Sequence, residues 1–150
     1  MFSHKRNIKV AGVVYLHRIT DNRLSGAAMK NLHAFASLCG PDAMPIVILV
    51  TTMWDDVKEE VGVRREAELK DIFSQEVMDV ECRMERFRNT SKSVWDIVDK
   101  AIGDGRGNTL LLQEEMGDGK SLGDTSAFNE GLPKWLAELK EVVSSTNIFQ

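Results

Sequence analysis

The sequence predicts an α/β protein: a short parallel sheet of about three strands in three-layer α/β/α packing, with helices also at the C-terminal end. Two observations carry this. Apolar, β-branched runs take turns along the chain with stripes spaced by three and four residues, and the first runs are nearly continuous, as strands covered on both faces read. That rhythm gives right-handed crossovers between parallel strands.

The elements follow in order. Lys9 to Leu16 is the first buried strand. After the turn-like Thr20-Asp21-Asn22, the positions Leu24, Ala27, Ala28, Leu32, Phe35 and Leu38 trace an amphipathic helix that stops at Gly40-Pro41. Ile46 to Val50, following Pro45, is the second strand. Val57, Val61, Leu69, Ile72, Phe73 and Val77 mark the helix after it, with Glu76 as a polar interruption. Cys82 to Phe87 is a third strand, in which Met84 alternates with charged neighbours as on a sheet edge, and Ser93 to Ile102 is a helix carrying Val94, Ile97, Val98 and Ala101. Glycine clusters at 103–107 and 117–119 bracket a short apolar segment, Asn108 to Met116. Pro133 opens a last helix reaching about Val143, with Leu136, Leu139, Val142 and Val143 as its stripe.

With 43% hydrophobic and 28% charged residues, 150 residues suit one core, so a single domain over 1–150 is expected. The net charge of −4 offers no general attraction to nucleic acid or anionic lipid, and neither is expected as a partner. Cys39 and Cys82 are too far apart for a disulfide framework, and His4, His17 and His33 lack metal-ligand spacing; no structural metal is expected. Residues 1–7 contain no apolar signal core and no stretch of eighteen apolar residues occurs, which points to a cytoplasmic protein.

Ligands of open α/β sheets sit at the carboxyl ends of strands. That directs attention to Val50-Thr51-Thr52-Met53-Trp54-Asp55-Asp56. An aspartate there can accept hydrogen bonds from both the ring N–H and the exocyclic amine of guanine, which adenine cannot reproduce. The plainer reading of Asp55 is a cap on the helix beginning near Val57. Asn89-Thr90-Ser91-Lys92 opens the helix after the third strand, where small residues and a helix N-terminus favour a ligand carbonyl; here too an ordinary N-cap at Thr90 or Ser91 is the plainer reading.

Taken together and in this order, the two segments resemble the guanine-recognition elements of GTPases. Thr52-Met53-Trp54-Asp55 stands in the place of Asn-Lys-x-Asp, and Thr90-Ser91-Lys92 resembles the Ser-Ala-Lys element. The surrounding residues, Gly12-Val13-Val14-Tyr15-Leu16-His17-Arg18-Ile19-Thr20-Asp21-Asn22-Arg23, Asn31-Leu32, Leu38-Cys39-Gly40 and Ser93-Val94-Trp95-Asp96-Ile97-Val98, resemble fungal P-loop GTPase-like proteins related to septin and immune-associated GTPases. The likeness runs from about Lys9 to about Leu122. It implies the back half of a G domain (about 9–122), a truncated P-loop NTPase-like fold, plus a helical tail (about 123–150).

The resemblance implies roles residue by residue. Asp55 would recognise guanine, Thr52 would brace the neighbouring loops, and the backbone of Ser91, flanked by Thr90 and Lys92, would meet the guanine carbonyl. Met53 departs from the usual lysine, keeping the apolar stem without the charge. Trp54 covers the base or only packs. The phosphate-holding Gly-x-x-x-x-Gly-Lys-Ser/Thr is missing, with only eight residues before Lys9. Gly119-Lys120-Ser121 imitates its end, but Glu114 stands where its first glycine is needed. GTP or GDP is therefore expected to bind weakly or vestigially, without competent hydrolysis, and magnesium only if phosphates bind. The alternative is a non-enzymatic interaction module on a GTPase-derived scaffold. The first strand would leave an open edge, and a homodimer is the expected repair.

Other groupings carry less. Asp55-Asp56 with Glu59-Glu60 suits the start of a helix dipole. His17 and His33 can be drawn with Cys39 or Ser37 as a nucleophilic set, but lone histidines near a strand end are usually structural.

Overall fold

The computed structural model describes residues 8–21, 26–77, 83–103, 105 and 107–131. The expected strand at Cys82 and helix at Pro133–Val143 fall partly or wholly outside these residues.

Three parallel strands form one sheet in the order β1–β2–β3: β1 is Val13–Arg18, β2 Val47–Thr52 and β3 Arg83–Arg86. Helix α1 (Gly26–Cys39) joins β1 to β2, α2 (Glu59–Ile72) follows β2, and α3 (Ser91–Ile102) follows β3. Two short helices close the described chain, α4 (Leu111–Gly117) and α5 (Ser126–Gly131), the latter lying along α1.

The register runs Val13↔Val47 to Arg18↔Thr52 and Ile48↔Arg83 to Thr51↔Arg86. Successive strand side chains point to opposite faces, so this register sorts the core into two layers. Val47 and Leu49 pack with Leu32 and Cys39 of α1, Leu69 of α2 and Phe73, joined by Val13, Tyr15 and Met84. Tyr15 meets Phe35 with ring centroids 4.7 Å apart. On the opposite face Ile48 and Val50 pack against Ile97 and Ala101 of α3. Helices therefore lie on both faces, and β2 is buried almost throughout.

Several boundaries move from the sequence-based expectation, each for a local reason. The β1 ladder begins at Val13 because Val10 exchanges both its backbone hydrogen bonds with Asn108, at 2.8 and 2.7 Å. Gly12 lies against the end of α3, where a Cβ would collide with the Ala101 carbonyl oxygen. α2 starts at Glu59 rather than Val57, since Trp54–Asp56 form a single 3₁₀ turn first. α3 starts two residues before Ser93: Thr90 is its N-cap, accepting from the Ser93 N–H at 3.1 Å, while the Thr90 N–H donates to Ser93 Oγ at 3.4 Å. The segment Asn108 to Met116 divides into the bridge at Asn108 and the helix α4.

Candidate functional site

The carboxyl end of β2 carries a built cluster. The Trp54 side chain is 4% exposed and its indole N–H donates to Thr51 Oγ1 at 3.0 Å. Thr51 Oγ1 in turn donates to Glu66 at 3.2 Å, and Arg86 grips the Glu66 carboxylate through Nε and Nη2 at 2.8–3.1 Å. The Arg86 and Arg88 guanidiniums lie over the Trp54 ring, 4.3 and 4.7 Å from its centroid. Glu59 accepts from both arginines. Gly62 completes the enclosure, since a Cβ there would overlap the Trp54 ring.

The electrostatics follow from this geometry. The hydrogen bond from Arg88 holds the Glu59 carboxyl below its usual value, against the opposing effect of desolvation. The Glu66 hydrogen bond raises Arg86, and the Glu59 hydrogen bond raises Arg88. Both arginines and Glu59 are thus charged at neutral pH, and Trp54 packs beside them. A base stacking on Trp54 would have to displace the arginines.

Asp55 lies just beyond the cluster and is exposed. The cap of α2 is Lys58, so the capping role open to Asp55 in the sequence is not the one it fills. Its Oδ2 instead accepts from Asn89 Nδ2 at 3.4 Å, joining the turn after β2 to the turn before α3. Met53 and Asn89, one in each of these turns, both adopt left-handed backbone, φ 64° and 60°. Thr52 Oγ1 donates to the His17 carbonyl at 3.4 Å and the Thr52 carbonyl accepts from the Ile19 N–H at 2.9 Å, so Thr52 ties the ends of β1 and β2 together.

No family model, curated protein or solved structure matches the chain.

The site therefore stands on its own geometry. Of the residues singled out in the sequence, Asp55, Thr90, Ser91 and Lys92 are all exposed and Met53 is 47% exposed, with Asn89 linking the Asp55 turn to the segment before α3. Thr90 fills the capping role anticipated for it. Lys92 pairs along its own helix with Asp96 at 2.9 Å, which raises the lysine. The Ser91 and Lys92 N–H groups belong to the first turn, which an α-helix leaves without intrahelical partners.

Sequence reasoning missed Arg86, Arg88 and Glu66, and read Glu59 only as part of an acidic helix start. A signal existed: Glu59 and Glu66 are seven residues apart, one helical face, and Arg86 and Arg88 straddle the end of a strand that neighbours β2. Among the described residues no group of three or more His, Cys, Asp or Glu side chains is arranged to hold a metal ion, and no helix is long and apolar enough to cross a membrane.

Proposed function

We propose that this chain is a GTPase-like domain fragment that holds the guanine base weakly through Asp55 and the Ser91 backbone and does not, by itself, hydrolyse GTP. The observation that carries the reading is the exposed Asp55 carboxylate near the N-terminus of α3, released from helix capping and, among the described residues, hydrogen-bonded through its side chain by the long Asn89 contact. A carboxylate at this place accepts the two guanine N–H groups, while a first-turn N–H of α3 donates to the carbonyl. Two or three such bonds at roughly 1.5–3 kcal/mol each correspond, after the cost of association, to millimolar or high-micromolar dissociation constants. The phosphates would add the remaining charge-assisted bonds, and these 150 residues contain no Gly-x-x-x-x-Gly-Lys-Ser/Thr loop to supply them.

Calorimetric titration with GDP, GTP and ATP, paired with Asp55→Ala, tests this. Guanine nucleotides are expected to saturate the wild-type chain and ATP is not, and Asp55→Ala removes the difference. Equal heats for ATP and GTP, or no binding at millimolar nucleotide, would sink the reading.

A second reading, a non-enzymatic homo-oligomerisation module, is favoured by a different observation. Val14 and Leu16 of β1 remain exposed on the face that α3 covers elsewhere. Under this reading the nucleotide titration is silent and the chain self-associates.

A further inference from the structure

Among the described residues the outer edge of β1 has no paired strand. The Ile19 N–H bonds the Thr52 carbonyl and the His17 carbonyl receives Thr52 Oγ1, so odd-numbered residues of β1 turn their backbone groups toward β2. N–H and C=O of one strand residue point the same way, and the sense alternates along the strand. The backbone groups of Val14, Leu16 and Arg18 consequently face outward, and among the described residues no strand pairs with them.

The side chains of Val14 and Leu16 are 40% and 65% exposed, and by register they share the face of Ile48 and Val50. α3 lies on that face. Its Lys100 flank reaches β3, pairing with Glu85 while the Lys100 carbonyl accepts from Arg83. The opposite flank, which carries Trp95 and Ile102 at 64% and 49% exposure, therefore looks toward β1. The Gly12 contact with Ala101 places the end of α3 beside the start of that strand.

We propose that β1 pairs antiparallel with β1 of a second copy about a two-fold axis at Tyr15, with Val14 opposite Leu16 of the partner, giving one continuous six-stranded sheet. This deepens the assembly reading and rests on it, and it is independent of nucleotide binding. The occupant follows from self-complementarity. Only an antiparallel register in which the paired numbers sum to thirty sets the outward-facing groups of Val14 against those of Leu16, so that the two residues exchange both hydrogen bonds. Residues opposite one another share a face, so the same register joins the four exposed aliphatic side chains into one patch, flanked by Trp95 and its copy. Val14, Leu16, Trp95, Ile102 and the 41%-exposed Val94 offer an apolar surface of the size that monomers reserve for their largest patch, roughly 300–600 Å². Together with the strand edge it approaches the ~800 Å² per partner of a standard interface.

Sedimentation velocity up to about 100 μM, with Leu16→Lys as the variant and circular dichroism as the control for folding, tests the assembly. A dimer is expected, weakened about tenfold or more by Leu16→Lys. The register is tested by mixing Val14→Cys chains with Leu16→Cys chains, each carrying Cys82→Ser. Opposed residues of this kind lie about 5.5 Å apart at Cα, within disulfide reach, so only the mixture is expected to cross-link on oxidation. A monomer throughout overturns both the assembly reading and the register. A dimer indifferent to Leu16→Lys, with no disulfide in the mixture, overturns the register and leaves the assembly reading standing.

Discussion

The Asp55 carboxylate and the Asn89 side-chain amide meet at 3.4 Å, the only described hydrogen bond joining the 53–56 turn to the turn that opens α3. At that length the bond is weak, and a guanine base would compete for the same oxygen. Asn89 also sits at φ 60°, which glycine adopts without penalty. Asn89→Gly therefore removes the competing amide and keeps the turn. The expected result is a two- to five-fold tighter GDP dissociation constant with little change in melting temperature, a gain of about 0.5–1 kcal/mol. Weaker binding by calorimetry would show that the amide itself holds the ligand.

Arg86 covers Trp54 and neutralises Glu66, whose carboxylate is 19% exposed. Arg86→Met leaves Glu66 with Thr51 alone among these partners. Loss of the charged hydrogen bonds and the ring contact should cost about 2–4 kcal/mol, read as a lower urea midpoint, with Arg88→Met costing visibly less because its partner Glu59 is 59% exposed. Equal losses in the two variants would contradict the ranking.

Gly62 is required by volume rather than by backbone conformation. A methyl group there overlaps the Trp54 ring, which cannot retreat past the two arginines. Gly62→Ala gains helix propensity but is expected to lose about 1–3 kcal/mol net, with a red-shifted Trp54 emission as the ring is pushed toward water. An unchanged or raised melting temperature would refute the close packing.

Glu115 anchors α5. The Ser126 hydroxyl, first, and then Lys120 and the Ser126 N–H hold this carboxyl below its ordinary value of 4.5 against desolvation. A folded value below the unfolded one contributes stability above the unfolded value, and that contribution disappears as pH falls through the folded value. Thermal melts of Glu115→Gln are expected to lie below wild type at neutral pH, with a gap that narrows as pH falls below 4.5. A gap that stays constant down to about pH 3 would assign the loss to shape rather than charge.

The strands and helices of the sheet were legible because their signals are local and strong. Val47 to Val50 is a continuous apolar run, and α1 ends at the Gly40-Pro41 stop. What escaped was set by contacts distant in sequence. β1 begins late because Asn108 takes the hydrogen bonds of Val10, a partner nearly a hundred residues away. Asp55 and Ser91 were singled out from their places after β2 and β3, yet the burial of Trp54 depends on Arg86, Arg88 and Gly62 arriving from two other elements. Periodicity along one segment carries no record of such meetings.

The register leaves the order of events during synthesis to translation. Val13 pairs with Val47 and Ile48 with Arg83, so the two halves of the sheet close loops of nearly equal length and similar entropic cost. Neither half is favoured by proximity, which leaves vectorial emergence from the ribosome to choose. At about 5–20 residues per second, β2 is complete some 2–7 s before β3 follows it. For that interval the nascent β1–α1–β2 unit exposes the raw β2 edge that β3 then covers.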